Sequence, residues 1–183
     1  MGRRAPDVQH LKLVSHITNH PGAFTAPPVD DVFIALGTTI KVAGSREAFR
    51  AVDFDAVVAI AKAGRAAGAS RLGVVSAMGA DSHSSVFYSR VKGEMEAAVS
   101  SLGFATVVIA RPSLLAGDRA SLKQAQRLGE KLALSAFKWI NPLLPANYRS
   151  VEAGQVAHAL VNTLQSTATG CHILLSGEIN QVF

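Results

Sequence analysis

Short apolar runs alternate with longer stretches of helical periodicity along most of the chain. Three of these runs are rich in β-branched residues and predict buried strands: VFIAL at 32–36, LGVVSA at 72–77 and ATVVIA at 105–110. Apolar residues recur at helical spacing over 45–67 and from about 85 to 102. Such an alternation indicates a parallel sheet with helices on both faces. The pattern therefore predicts an α/β fold, and residues 1–183 suit one domain.

The pattern also predicts several other elements. They are a first short strand at 11–17, helices at 121–140 and 152–165, and a last strand at 171–176. Within the helical stretch at 45–67, Asp53 or Asp55 is a candidate cap for a second helical section. In the helix that ends near Leu102, Met95, Ala98 and Val99 are expected to face the sheet.

Polar residues follow all three predicted strands. Gly37-Thr38-Thr39 follows the first, Ser76 closes the second, and Arg111-Pro112-Ser113 follows the third. Because parallel strands end at one edge of the sheet, these segments are expected to border a single crevice, where open α/β sheets bind ligands. The turn after the first strand permits close backbone approach, and its hydroxyls can donate to a phosphate or ribose. A turn with internally satisfied hydroxyls fits the sequence equally well.

Ser76, Tyr88 and Lys92 are the candidate catalytic residues. Tyr88 and Lys92 are four positions apart, so on a helix they share one face. A nearby ammonium favours phenolate and is expected to lower the pKa of the phenol, which makes Tyr88 a usable general acid or base. Ser76 can hydrogen-bond the reacting oxygen. This set suits interconversion of a carbonyl and an alcohol, although a packed ring beside a solvated amine would give the same spacing.

Composition describes a folded protein rather than a disordered one. Hydrophobic residues make up 49% of the chain and charged residues 17%. A net charge of +5 and a pI near 9.7 admit nucleic acid, anionic lipid or a phosphorylated ligand. With 6% aromatic residues and no nucleic-acid motif, nucleic acid ranks last. The first residues do not resemble a secretory signal and no run is long enough for a membrane span, which predicts a cytoplasmic protein.

Two further features have structural explanations. The single cysteine, Cys171, cannot form an internal disulfide and is expected to be a small buried core residue. Lysine and arginine recur along one side of the helix predicted at 121–140, which suits either a solvated face or an acidic partner or membrane surface. The histidines have no metal-ligand spacing, so no metal site is predicted.

Several motifs in order resemble a known family. LGTT after the first strand, VSAMGAD with Ser76, FYSRVKGEME with Tyr88 and Lys92, and RPSLLAGDR are similar to the atypical short-chain dehydrogenase/reductases of the Tat-interacting-protein-like group. The resemblance implies a Rossmann-like domain that binds NADP(H), with NAD(H) as the alternative, and a small carbonyl or alcohol substrate. In that resemblance Ser76, Tyr88 and Lys92 match the catalytic Ser, Tyr and Lys.

The same resemblance implies roles for other residues. Tyr88 and Lys92 would contact the cofactor, Leu36-Gly37-Thr38-Thr39 would line it, and Arg111-Pro112-Ser113 would border its nicotinamide end. Arg3 and Arg4 would meet the 2′-phosphate, and residues 114–150 would cover the substrate.

The family's first strand, glycine-rich turn and helix have no counterpart in the sequence. This absence predicts a sheet that lacks its first βα unit. Apolar surface and an open edge are then expected at 32–36, through which copies could self-associate, unless residues 1–30 or another chain cover that edge. It also leaves a second function open, namely a non-catalytic binding or regulatory protein with weak or no cofactor binding.

Overall fold

The computed structural model describes residues 24–113, 115–116, 145–166 and 168–181. The strands are β1 (Asp31–Ile34), β2 (Arg71–Val75), β3 (Thr106–Arg111), β4 (Leu115–Ala116), β5 (Val151–Glu152) and β6 (Gly170–Leu175). The helices are α1 (Ile40–Ala43), α2 (Arg46–Arg50), a π-helical turn (Ala51–Ala56), α3 (Val57–Ala66), α4 (Phe87–Ser100), a 3-10 turn (Ala146–Tyr148), α5 (Ala153–Ser166) and α6 (Ser176–Ile179).

Four parallel strands form the main sheet, in the order β1-β2-β3-β6. A separate two-stranded pairing joins β4 and β5. The parallel α/β sheet predicted from the apolar runs is therefore confirmed. The strand predicted at 72–77 ends at Val75, so Ser76 lies just beyond its carboxyl end, where its backbone N–H donates to the carbonyl oxygen of Ala110 at 2.8 Å.

Each face of the sheet packs against helices, as predicted. On one face, side chains of β1, β2 and β3 form a core with α3 and α4, in which Met95 and Val99 are fully buried. On the other face, β3 and β6 pack against α5 and α6. Met95 and Val99 thus confirm the predicted inward side of α4, while Ala98 is only half-buried.

The helical stretch at 45–67 runs from α2 through the π-helical turn into α3. Phe49, Asp53, Val57 and Ala61 follow one another at intervals of four residues, and all are buried. The predicted capping role of Asp53 or Asp55 is wrong, because the helix continues past both residues without a break. Asp53 instead lies in the buried row, and Asp55 is exposed.

The edge of the sheet at β1 has exposed apolar surface. Among the described residues β1 pairs only with β2, and Phe33 is 45% exposed on the face opposite α3 and α4. This agrees with the exposed surface predicted for 32–36. Self-association through that edge stays a prediction.

Cys171 departs from its predicted burial. It lies at the start of β6 and is exposed, with its Sγ atom 3.6 Å from the hydroxyl of Ser100. Only Leu174 of β6 is buried. The predicted strand at 11–17 and helix at 121–140, with its basic side, lie outside the described residues, as do Arg3, Arg4 and most of segment 114–150. The division into a single domain with that segment on the substrate side stays a prediction.

Candidate active site

A buried ion pair joins α4 to the π-helical turn. The Nζ atom of Lys92 lies 2.7 Å from Oδ1 of Asp53, at angles outside those of a hydrogen bond. Lys92 is 4% exposed and Asp53 is fully buried. Charges are buried in proteins when they are paired, so each of these groups requires the other. Lys92 is therefore not the solvated amine that its spacing from Tyr88 also allowed.

Asp53 also holds the turn that follows β1. Its Oδ2 atom accepts a hydrogen bond of 2.9 Å from the backbone N–H of Thr38. A Cβ atom added at Gly37 would lie 3.4 Å from Oδ1 of Asp53 and 3.8 Å from Nζ of Lys92. The turn predicted to line a cofactor and the predicted catalytic lysine are thus adjacent.

Ser76 has a buried hydroxyl without a hydrogen-bond partner in the described part of the chain. The residue is 5% exposed, and its Oγ atom has no exposed surface. Most buried hydroxyls are hydrogen-bonded, and an unsatisfied one costs about 1–3 kcal/mol. A lone hydroxyl at the carboxyl end of a parallel strand is suited to receive a ligand oxygen.

Tyr88 lies in the first turn of α4 and is half-buried. Its ring packs at a tilt against Phe49, with 5.4 Å between ring centroids. Burial raises the pKa of the phenol above its ordinary value of 10.0, and the negative charge of Asp53 raises it further. The predicted lowering of this pKa is therefore wrong, because burial disfavours the charged phenolate and the carboxylate of Asp53 adds to that effect.

Close backbone contact fixes the position of α4. A Cβ atom added at Gly93 would lie 2.2 Å from the backbone nitrogen of Ser82 and 2.3 Å from the carbonyl carbon of Asp81. The N–H of Asp81 also donates to the carbonyl oxygen of Ser89 at 3.0 Å. Glycine is thus required where α4 crosses the loop that follows Ser76, which sets the first turns of the helix beside that loop.

The other predicted cofactor residues of the first turn are partly committed to local contacts. The hydroxyl of Thr39 accepts a hydrogen bond of 3.2 Å from the N–H of Val42 and caps α1, a short helix that the sequence did not predict. The hydroxyl of Thr38 makes only a 3.5 Å contact with a neighbouring carbonyl. Leu36 packs against the core beneath the turn. Of the two threonines, Thr38 is the one with a hydroxyl available to a ligand.

Arg111 contacts α4. Its guanidinium binds both carboxylate oxygens of the buried Glu96, at 3.0 and 2.5 Å. The carbonyl oxygen of Pro112 accepts from the N–H of Met78, and the Ser113 hydroxyl donates to the carbonyl of residue 149 at 2.7 Å. These contacts secure the loop after β3, whereas the role of its residues at the nicotinamide end stays a prediction.

Sequence reasoning missed Asp53 and Glu96, the two carboxylates that pair with Lys92 and Arg111. One signal was available in each case. Asp53 interrupts the apolar row of a helix, and Glu96 lies four residues after Lys92 beside the inward-facing Met95. A charge on the inward side of a helix needs a buried partner, although the sequence does not say which. Among the described residues no group of three His, Cys, Asp or Glu side chains could hold a metal ion.

The parallel sheet with helices on both faces has the Rossmann-like fold of NAD(P)-binding proteins. RMD from Pseudomonas aeruginosa, solved in complex with NADPH, superposes with a TM-score of 0.56 and 16% sequence identity, over 88% of this chain and 65% of the RMD chain. UDP-glucose 4-epimerase from Thermotoga maritima superposes with a TM-score of 0.55 and 12% sequence identity, over 84% of this chain and 58% of the epimerase chain. At these identities the likeness shows the fold. No family model matches the sequence.

The curated relatives identify the family. Protein FMP52 of Meyerozyma guilliermondii is 31% identical over 99% of this chain and 81% of its own length. Protein fmp52 of Emericella nidulans is 42% identical over 58% of this chain and 46% of its own length. Protein HTATIP2 of Rattus norvegicus is 36% identical over 80% of this chain and 58% of its own length. The chain belongs to the FMP52 and HTATIP2 family of atypical short-chain dehydrogenase/reductases, as its motifs predicted.

Two further findings come from these relatives. The chain spans about half of the Emericella nidulans relative, at 46%, and 58% of the rat relative. The predicted cytoplasmic location is contradicted, because the FMP52 proteins of Emericella nidulans, Meyerozyma guilliermondii and Candida albicans are named as mitochondrial. In the described part of the chain, no helix has both the length and the apolar character needed to cross a bilayer.

Proposed function

We propose that this chain acts in an NADP(H)-dependent oxidoreductase of the short-chain dehydrogenase/reductase type, with NAD(H) as the alternative cofactor. The substrate is a small carbonyl or alcohol compound. The observation that carries the proposal is the placement of Lys92, which is buried against the turn after β1 rather than extended into solvent. A lysine in that position is not a solvated surface residue. It lies one helical turn from Tyr88 on the same face of α4.

Each catalytic residue has a distinct task. Tyr88 passes its proton to the oxygen of a carbonyl substrate, or takes the proton of an alcohol in the reverse direction. The hydroxyl of Ser76, free of partners in the described residues, hydrogen-bonds the same oxygen and aligns it. Lys92 holds its ammonium beside the Gly37-Thr38 turn. The surrounding core excludes water, which strengthens these polar interactions.

The residues present fit the ribose end of a nicotinamide cofactor. The Lys92 ammonium and the Thr38 hydroxyl are donors of the kind that ribose hydroxyls need, and Gly37 between them has no side chain to block an approach to the backbone. When bound, the cofactor would supply or accept the hydride. Support for NADPH comes from RMD of Pseudomonas aeruginosa, which shares the fold and was solved in complex with NADPH. The glycine-rich turn that anchors a pyrophosphate has no counterpart in the sequence, so affinity is the quantity to measure.

Titration of NADPH and NADH tests the proposal. Fluorescence of the bound nucleotide and the shift in melting temperature are measured with this chain and, where the gene encodes residues in frame before Met1, with that longer chain. Binding by either form, with consumption of NADPH in the presence of aldehydes or ketones, supports the proposal. Tyr88→Phe is expected to lower turnover by about 10²–10⁴-fold, a much larger effect than any loss of nucleotide affinity. Absence of binding by both forms refutes the proposal.

The exposed edge at β1 favours a second candidate function. Phe33 is 45% exposed on a strand that pairs on one side only within the described residues, which suits a non-catalytic binding or regulatory protein that docks a partner along this edge. A chain that folds, remains monodisperse and ignores both nucleotides would support this candidate. Sedimentation or size-exclusion mass measurement separates it from self-association through the same edge.

A further inference from the structure

The strand β6 leaves one edge of the main sheet open. Among the described residues it lies at the end of the order β1-β2-β3-β6 and pairs with β3 alone. The N–H of Gly170 donates to the carbonyl oxygen of Ala105 at 2.8 Å, so Gly170 directs its backbone groups toward β3. Successive residues of a strand direct these groups to opposite sides. The backbone groups of Cys171 and Ile173 therefore face outward, and the described structure contains no hydrogen bond from either N–H.

This edge lacks the features that usually prevent another strand from pairing with it. Proteins protect exposed edges with lysine, proline or other charged residues, because a row of unpaired N–H and C=O groups is a template for a further strand. The sequence of β6 is GCHILL and contains none of these residues. The opposite edge strand, β1, carries Asp31, which pairs with Arg71. Only the far end of β6 is closed, where the N–H of Leu175 donates to Oε2 of Glu178 at 2.8 Å.

A cleft runs beside this edge on the face of the sheet that carries α4. The register pairs Cys171 with Val107 and Ile173 with Ile109, and these two β3 residues belong to the core beneath α4. Cys171 and Ile173 thus point to the α4 side, where both are exposed, Ile173 by 43%. Together with Ala97 and Ile109 they form the apolar part of a cleft of about 290 Å³. Such a cleft gives space to the side chains of an added strand.

An antiparallel copy of β6 matches this edge. In a hydrogen-bonded pair of an antiparallel ladder, two opposite residues exchange both of their N–H···O bonds. When a two-fold axis passes beside His172, Cys171 of each copy lies opposite Ile173 of the other, and every open backbone group of these residues is paired. A small side chain then lies beside a large one, and Ile173 of the second copy covers the cleft. The strand contains no Asp, Glu, Lys or Arg that would repel its own copy.

We propose that β6 is the interface of a symmetric dimer, in which the β6 strands of two copies pair antiparallel about His172 and join the two four-stranded sheets into one. A second copy is the favoured occupant because the spacing of the open residues and the sizes of their side chains are complementary to themselves. The charged pair at the polar end of the cleft, Arg111 and Glu96, is already satisfied, which suits an uncharged occupant. The inference does not depend on nucleotide binding.

The register determines which cysteines can link the two copies. At the axis, opposite residues of a non-hydrogen-bonded pair have Cα atoms about 4.5 Å apart, which a disulfide can bridge. Cys171→Ser combined with His172→Cys is therefore expected to form a disulfide-linked dimer on mild oxidation. In the wild type the two Cys171 residues lie diagonally, with Cα atoms about 7–8 Å apart, and are expected not to link. Cys171→Ser with Asn162→Cys, exposed on α5, controls for random collision.

Sedimentation equilibrium under reducing conditions measures the association itself. The wild type is expected to pass from monomer to dimer over a series of protein concentrations. Ile173→Lys places a charge on the interface and is expected to weaken association by about tenfold or more. Val161→Lys is the matched control, because Val161 is also a partly exposed apolar residue, at 36%, but lies on α5. This control is expected to associate like the wild type.

A wild-type monomer at every concentration overturns the inference, and protection of the β6 amides from hydrogen exchange in that monomer would assign the edge to a different strand. If the His172→Cys variant does not fold, Ile173→Cys with native Cys171 replaces it, since the register sets these two cysteines opposite each other. A dimer that neither links through these positions nor responds to Ile173→Lys uses another surface, such as the β1 edge, and overturns the inference as well. The NADPH titration succeeds or fails independently of these outcomes.

Discussion

Breaking the Lys92–Asp53 pair from either side is expected to destabilise the fold strongly. At a separation of 2.7 Å and an effective dielectric of about 20, the attraction between unit charges is about 6 kcal/mol. Desolvation offsets much of that attraction in the intact pair. Removal of one partner leaves the other charge buried and uncompensated, which costs about 3–5 kcal/mol. A domain of this size is stable by only about 5–15 kcal/mol, so the loss is a large fraction of the total.

Urea unfolding of Asp53→Asn, Lys92→Met and the double variant measures these costs. Far-ultraviolet and near-ultraviolet circular dichroism give two probes of the same transition, and their coincidence tests two-state behaviour. Each single variant is expected to lose about 3–5 kcal/mol. The double variant is expected to lose less than the sum, since it buries no lone charge. Asp55→Asn, on the exposed side of the same turn, is expected to stay within about 0.5 kcal/mol of wild type.

Additive losses in the double variant would refute the reasoning. A loss below about 1 kcal/mol in both single variants would refute it as well, because such values are typical of exposed ion pairs rather than buried ones. A change in the urea slope without a change in midpoint would instead indicate a different denatured state.

Three further predictions follow from single residues. Burial and Asp53 raise the folded-state pKa of Tyr88 above 10.0. Its contribution to stability is therefore complete below pH 10 and is lost as pH rises through the folded value, so Tyr88→Phe should flatten the alkaline fall of the urea midpoint. The Cβ atom of Gly93→Ala would lie within 2.3 Å of backbone atoms, so this variant should lower the free energy of unfolding by about 1–3 kcal/mol or more. Gly154→Ala has open space around its Cβ atom and should raise the free energy of unfolding by about 0.4–1 kcal/mol, measured by the same urea unfolding. Ser76→Ala should leave the melting temperature unchanged or raise it, because the Ser76 hydroxyl has no hydrogen-bond partner in the described residues. The same variant should lower turnover by about 10²–10³-fold. A large loss of stability would contradict the assignment of this hydroxyl to a ligand.

The four strands of the main sheet and the longer helices could be predicted from the sequence because their signals are local. Continuous β-branched runs located the strands to within one or two residues, and helical spacing located α4 and α5. Burial at the sheet edge could not be predicted in this way. Cys171 is in an apolar run like those of the central strands, but an apolar run does not say whether helices cover both faces of that strand. In β6 only Leu174 is buried.

The candidate site shows the same division between local and distant information. The i,i+4 relation of Tyr88 and Lys92 is local, and the sequence predicted it correctly. The pKa of Tyr88 is raised first by burial and then by the charge of Asp53, and both effects arise from the packing of α4 against the π-helical turn. A sequence read through neighbours alone therefore assigned the pKa shift the wrong sign. Tertiary context commonly decides such shifts.

The two buried pairs on α4 also explain why charge is used where apolar packing would suffice. Lys92 and Glu96 are one helical turn apart and bind different neighbours, Asp53 in the π-helical turn and Arg111 on β3. A shift of α4 by one turn in one direction would bring Glu96 toward Asp53, and the opposite shift would bring Lys92 toward Arg111. Both alternatives place like charges together in the interior, which is strongly unfavourable. An apolar interface would tolerate either shift far better, so the alternating charges fix the register that holds Tyr88 and Lys92 at the carboxyl edge of the sheet.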